Sequence, residues 1–317
     1  MTYAQYGTIA ATDYNNLVGT NPNTTSGTLN TVWATGGTAA GYGQTAAGQV
    51  SVGNTVAATN WATLVSNTAS AASHQGTSIT SVTAPVTGGT ITYLSAIPTN
   101  LTTIYTSRLN ASTQGSTVAN SVTRATSWSN NLIFTHTVSF ANGDAARYFF
   151  NAGGQLKVTC SHANNAAGVN LLLNNLASNV GTVTISSPTS GTATIASTSY
   201  NGVTRVGGGG ATPTISTNSG YYSMTVSNVK VFSQIASTGP AYYVNTNISV
   251  TQKSNGTQGS NGDAGNVITL YTVWAEVPVG YVVGSGSTTT VTVQAPETTY
   301  LGNTWGTVSV TGTVTGA

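Results

Sequence analysis

Among 317 residues, seven are Lys or Arg and five are Asp or Glu, so charged side chains make up 4% of the chain and the formal net charge is +2. An ordinary soluble domain carries about a quarter of its residues as charges, and the scarcity here removes most of the material for acid–base catalysis, metal capture and phosphate binding. Seven scattered cations also cannot neutralise a run of phosphates, which argues against a nucleic-acid partner.

The first twenty residues hold no Lys or Arg and no apolar core of signal-peptide length, so cytoplasmic synthesis is expected. From there to residue 128 the apolar residues fall at helical spacings. Ile9–Val18 and Val56–Val65 are two copies of one motif, offset by 47 residues. In each copy a Thr (Thr12, Thr59) followed by Asp13 or Asn60 is positioned to cap a helix. Tyr14, Leu17 and Val18, and Trp61, Leu64 and Val65, then share one helical face. Gly19 and Gly76 are the expected stops. Leu29, Val32 and Trp33 suggest a short helix between the copies. A further stripe runs from Tyr93 and Leu94 through Ile97, Leu101, Ile104 and Tyr105 to Leu109, with Pro98 near its start.

After residue 128 the pattern becomes that of strands: 132–140, 145–151, 155–161, 182–186, 192–196, 199–206, 221–226, 229–236, 246–253, 266–276, 288–294 and 307–314, with a helix over 168–178. This predicts an α+β, mainly β chain. Residues 1–128 form a helical attachment or oligomerisation region, and residues 129–317 an antiparallel β-sandwich or jelly-roll-like domain. The most apolar stretch, Val169 to Val180, is too short and too rich in Asn to cross a bilayer, so no membrane insertion is expected.

Candidate chemistry is thin. Glu276 and Glu297 are the only carboxylates within one strand-turn-strand distance, and a glycosidase needs two acids flanking the bond it cuts. The phrase Asn-Gly-Asp-Ala recurs at 142–145 and 261–264; one Asp per turn falls short of a calcium site, which takes about six to eight oxygens, and a hairpin turn is the expected role. In Cys160-Ser161-His162, Cys160 and His162 share a strand face and Ser161 points away. A lone Cys allows no intrachain disulfide and no cysteine zinc cluster. His74, His136 and His162 have no metal-ligand spacing. Gly207–Gly210 lacks the Lys and Ser/Thr of a phosphate-binding loop. Asp144 and Arg147 flank a turn and are read as an exposed pair of small energetic effect. Tyr221-Tyr222 and Tyr242-Tyr243 offer either core and interface residues or a sugar-stacking surface. No catalytic residue, metal ligand or cofactor site is therefore expected.

Two further features carry a resemblance. The phrase Asp144-Ala-Ala-Arg-Tyr-Phe-Phe-Asn-Ala-Gly-Gly154 with the Gln-Leu-Lys-Val run after it, and Tyr271-Thr-Val-Trp274, look similar to virion structural proteins of tailed bacteriophages, of the tail or neck fibre type met in marine and cyanobacterial phages. The Ala-x-Asp-Tyr-Asn-x-Leu motif and Ser73-His-Gln-Gly76 point the same way. The resemblance implies a non-enzymatic virion component, assembled in a bacterial cytoplasm, with copies of itself and other virion proteins as partners. Capsid-decoration or tail-sleeve protein and host-glycan-binding adhesin are the alternatives. Independently of the resemblance, a surface of hydroxyls and amides with little net charge suits tight self-association that salt scarcely alters.

Overall fold

The computed structural model describes residues 10–37, 39–87, 89, 95–188, 191–237, 245–259, 262–275, 277 and 280–316. Ile9, Tyr93, Leu94, Tyr242, Tyr243, Asn261 and Glu276, named above, lie outside them.

Both copies of the N-terminal motif fold as helices, α1 (Ala11–Val18) and α3 (Ala58–Gln75), with α2 (Leu29–Val32) between them and α4 (Ala96–Thr106) following. The caps differ from expectation. Thr12 and Thr59 already lie inside the helices, and the N-cap positions are Ala10 and Ala57, which have no side-chain acceptor. Asp13 and Asn60 supply the cap from the third helical position. Their side chains reach back to accept from Ala10 N and Ala57 N, each at 2.9 Å. The aromatics of the two copies meet edge to face, Tyr14 on Trp61, with centroids 5.5 Å apart. Gly76 ends α3 in a left-handed conformation at φ 65°.

The sequence pattern marks no element between Leu109 and Leu132, yet β1 (Gln114–Arg124) lies there. The remaining strands are β2 (Leu132–Ser139), β3 (Gln155–His162), β4 (Thr182–Ile185), β5 (Ala193–Ile195), β6 (Thr198–Tyr200), β7 (Val203–Val206), β8 (Thr214–Ile215), β9 (Val229–Ile235), β10 (Asn247–Ser254), β11 (Val267–Ala275), β12 (Ser287–Pro296) and β13 (Ser309–Thr315). Two more helices, α5 (Gly143–Asn151) and α6 (Val169–Val180), interrupt them. One sheet has the order β1-β12-β3-β4-β7 and the other β13-β2-β11-β10-β9-β8, and β5 pairs with β6. Every pairing between these strands is antiparallel. The protein is thus mainly β with a few helices. The sheets meet face to face: Trp274 of β11 donates its indole N–H to Thr289 of β12 at 3.4 Å, and its ring lies 6.3 Å from that of His162 on β3. Leu172, Leu173, Leu176 and Val180 of α6 are buried in the same core as the two sheets and the N-terminal helices.

Three strand assignments need correction. Residues 145–151 are helical. Asn142 is the N-cap, its side chain accepting from Ala145 N at 2.8 Å, and Ala145, Ala146, Phe149 and Phe150 then fall on one buried face. Tyr148, Phe149 and Phe150 therefore do not alternate across a sheet. Residues 221–226 hold a single 3-10 turn, Tyr221–Ser223, rather than a strand. The stretch 199–206 is split at Asn201-Gly202 into β6, which pairs with β5, and β7, which pairs with β4; Gly202 lies so close to the Ser219 carbonyl that a Cβ would collide with it.

Candidate functional site

The structure brings the sequence-predicted groups together in ways that occupy them. Cys160 and His162 share a face of β3, opposite Thr289 and Ser287 of β12. They do not engage each other. The Cys160 thiol sits 3.9 Å from Thr289 Oγ1, and burial pushes its pKa up to about 12. His162 is held between Ser287 Oγ (3.0 Å from Nδ1) and Asn170 Oδ1 (3.2 Å from Nε2). The Ser287 hydroxyl also accepts from the Trp128 indole at 3.0 Å, and both Ser287 and His162 are sealed from solvent. Cys160 itself is half-buried. His74 pairs with the Ala152 carbonyl at 3.1 Å, and burial drives its pKa down to about 4, partly opposed by that hydrogen bond. Burial lowers His136 and His162 as well. Among the described residues no three His, Cys, Asp or Glu side chains lie close enough to hold a metal ion.

Glu297 has no described acidic partner, since Glu276 lies outside the described residues. Its carboxylate accepts from Thr299 N at 2.7 Å and from the Thr299 hydroxyl. Burial tends to raise its pKa, but these bonds and one from the Thr298 backbone hold it below the usual carboxylate range. The four-glycine loop serves a cation instead of an anion: Arg205 Nη1 donates to Asn179 O, Gly209 O and Gln234 Oε1 at 3.2–3.3 Å.

The first Asn-Gly-Asp-Ala phrase is not a hairpin turn, whereas residues 262–264 of the second lie in the loop that joins the antiparallel neighbours β10 and β11. The first opens α5, and the second packs on it, with Gly262 N donating to Asp144 Oδ1 at 3.2 Å. Asp144 pairs with Arg147 at 3.1 Å; the Arg147 side chain is 1% exposed and that of Asp144 28%, so the pair is buried on its cationic side and not superficial. Arg147 belongs to a junction that pattern reading did not find. Three successive carbonyls are gripped by donors from elsewhere in the chain: Ala39 O by Arg108 Nε (2.7 Å), Ala40 O by Arg147 Nη1 (2.7 Å) and Gly41 O by Asn151 Nδ2 (3.0 Å). Tyr42, next in line, donates its hydroxyl to Arg108 O and accepts from Gln75 Nε2, both at 2.8 Å. Buried backbone acceptors need partners, and these bonds tie the N-terminal helices to α5.

The outward faces of the sheets are the most distinctive surface. On the first, Ser121 and Thr123 of β1 oppose Thr290 and Thr288 of β12, with hydroxyl–hydroxyl distances of 2.7 and 2.8 Å. Thr159 and Ser161 of β3 continue these rows. On the second, Thr311 of β13, Thr137 of β2 and Thr269 of β11 stand in one row, and Thr313 faces Thr135 in the next. The Tyr221 pair is not part of such a surface: Tyr221 is buried and stacked on Phe150 at 4.3 Å, and the Tyr222 hydroxyl donates to Asn151.

No helix among the described residues is long and apolar enough to cross a membrane. No protein-family model, curated protein or solved structure matches the chain.

Proposed function

We propose that this chain is a non-enzymatic structural subunit of a tailed-bacteriophage particle, of the tail or neck fibre type, assembled in the bacterial host from copies of itself and other virion proteins. The observation that carries this reading is the pair of hydroxyl-clad sheet faces, on which aligned Thr and Ser rows replace the charged residues that keep ordinary monomers apart. Hydroxyls can pair across an interface directly or through trapped water without the cost of burying an isolated charge. The burial of His162 and His74 and the raised pKa of Cys160 favour a structural role over a catalytic one. A capsid-decoration or tail-sleeve position suits the same faces.

The mass of the purified chain in solution tests the proposal. The expected result is a homo-oligomer that persists from about 0.05 M to about 1 M salt, a range over which the Debye length falls to roughly 3 Å. A stable monomer at high concentration, with no partner in the particle, contradicts it. Alanine at Tyr242 and Tyr243 separates the adhesin alternative, since loss of glycan-array binding would favour it.

A further inference from the structure

Where β1 begins, its pairing with β12 slips. Gln114 faces Pro296 and Thr117 faces Gln294, so Gly115 and Ser116 together oppose Ala295 alone. Such a bulge bends its strand and interrupts the ladder. Gln294 Nε2 pins it by donating to Gly115 O at 2.7 Å. The bulge, the end of β12 and the turn around residues 303–308 enclose a hollow of about 400 Å³, within the range of small-ligand sites, about 300–1,000 Å³.

The walls are set in place before any ligand arrives. Gly302 N donates to Gln44 Oε1 and Gln44 Nε2 donates to Gly302 O, both at 2.9 Å, while the Thr304 hydroxyl donates to Tyr42 O. Asn303 Oδ1 accepts from Gly306 N at 2.8 Å and closes the turn. A rigid wall reduces the ordering cost of binding.

One wall holds a donor without an acceptor. Trp33, Trp128 and Trp274 donate their indole N–H groups to Thr45 O, Ser287 Oγ and Thr289 Oγ1. The Trp61 indole N–H is buried without a partner among the described residues, away from this hollow. Trp305, 2% exposed, lines the hollow, and its indole N–H makes no bond to the described residues and is not fully buried, so it is left to solvent. Indole nitrogen is a donor only, so a ligand that takes the place of water there has to bring an acceptor. The hydroxyls of Ser116 and Thr307 stand around the same space, and Val118, 49% exposed, and Ala295 give it an apolar side. The one formal charge on the lining is Glu297, already bonded to Thr299. It disfavours an anionic ligand. The larger-scale alternative, a peptide strand added to the edge of β1, meets the bulge at this end, where the regular ladder stops.

The similar hollow between α3 and α4, about 270 Å³, lacks this feature. There Asn100 is engaged at both ends by Thr80 N and Thr80 O, and Thr68 by Leu64 O.

From these observations we propose that the hollow at the β1 bulge binds a neutral saccharide. A sugar hydroxyl or ring oxygen accepts from Trp305 Nε1, other hydroxyls meet Ser116, Thr307 and Asn303, and a C–H face rests on Val118 and Ala295. The site stands whether or not the chain is a particle subunit. The test is titration of the ¹⁵N-labelled full chain with lactose, cellobiose, maltose and methyl mannoside, with sialyllactose as the charged counterpart of lactose. The Trp305 indole N–H signal is followed by NMR and affinity by calorimetry. At least one neutral probe should shift that signal at millimolar concentration. Trp305→Phe keeps the ring packing and removes the donor, and should weaken binding about tenfold, a typical loss for one buried hydrogen bond. Thr307→Val should weaken it as well, and Thr313→Val on the other sheet should not. Silence of the Trp305 signal with every neutral probe, unchanged binding by both Trp305→Phe and Thr307→Val, or tighter binding of sialyllactose than of lactose would each overturn the proposal.

Discussion

His74 makes the fold sensitive to acid in a way that can be calculated. Its imidazole is 1% exposed, sits 5.4 Å from the Tyr42 ring, and bonds the Ala152 carbonyl, so the neutral form is strongly preferred in the folded state. The folded pKa is about 4 against an ordinary 6.5. Between these values the unfolded chain binds more protons than the native one, so stability rises with pH. His74's contribution is therefore complete above about pH 6.5, falls as the pH drops through 6.5, and stops changing below about 4. At pH 5 the loss is about 2 kcal/mol, on its way to a limit of about 3 kcal/mol. For a chain of this length, about 2 kcal/mol corresponds to roughly 3 °C in Tm. The burial-lowered pKa values of His136 and His162 act with the same sign. The assay is calorimetric or denaturant unfolding of the wild type and of His74→Gln at pH 8 and pH 5. Gln can still donate to Ala152 O but does not titrate, so the gap between pH 8 and pH 5 should shrink by about 2 kcal/mol in the variant. An unchanged gap, or a folded-state His74 signal titrating near 6.5 by NMR, would refute the reasoning.

Three further outcomes follow from the geometry. Arg147→Met removes the donor to Ala40 O and the cationic partner of Asp144, which keeps Gly262 N and some solvent, so it should cost about 2 kcal/mol by denaturant unfolding, and the added cost of Asp144→Asn on top of it should be small. Asn142→Ala deletes the bond to Ala145 N that starts α5 and should cost about 1 kcal/mol in the same measurement. Cys160 is half-buried, and its raised pKa leaves almost no thiolate at neutral pH, so it should react with iodoacetamide more slowly in native buffer than in denaturant; native alkylation as fast as that of the unfolded chain would contradict its placement.

Periodicity in the sequence found the elements whose apolar residues repeat without competition. Leu132–Ser139 and Val267–Ala275 alternate buried and half-buried or exposed residues along their whole length and Val229–Ile235 over its second half, and all three were legible. β1 was not, because it is an edge strand whose run STVANSVTR offers only Val118 and Val122 as apolar positions and stays largely exposed. The α5 segment failed for a different reason. Ala145-Ala-Arg-Tyr-Phe-Phe150 is too short for its helical period to dominate, and aromatic residues favour strands on propensity alone. The decisive signal was the Asn142 cap, which the Asn-Gly dipeptide disguised as a hairpin turn. The hollow at the β1 bulge was beyond sequence reading altogether. It depends on a two-against-one register between strands about 180 residues apart in the chain and on a turn fastened to Gln44.

Most of the cations are tied down, although Lys230 stays exposed beside Thr251 and Lys253 stands in the same row as Thr269 on the second sheet. Arg147 and Arg108 grip the carbonyls of residues 39–40, and Arg205 is turned onto the four-glycine loop. Lys157 rests against Gln114 and Gln294, and Lys253 lies over the Tyr271 ring. A cation held in this way projects less field into solvent than one that is free, and the hydroxyl rows beside it contribute none. Steering by charge therefore has little to act on, and the self-association proposed above would draw its specificity from shape and from the register of hydroxyl partners. Such contacts form slowly and loosen little in salt, whereas a lysine or glutamate introduced into a row would have to be buried unpaired. Thr137→Lys and Thr290→Glu, on opposite sheets, separate the possibilities. If one face is the self-association surface, the change on that face should dissociate the oligomer while the change on the other leaves it intact, with both variants folded by circular dichroism. If both variants keep the wild-type mass, neither hydroxyl face is the contact and the argument from neutral surfaces to assembly fails.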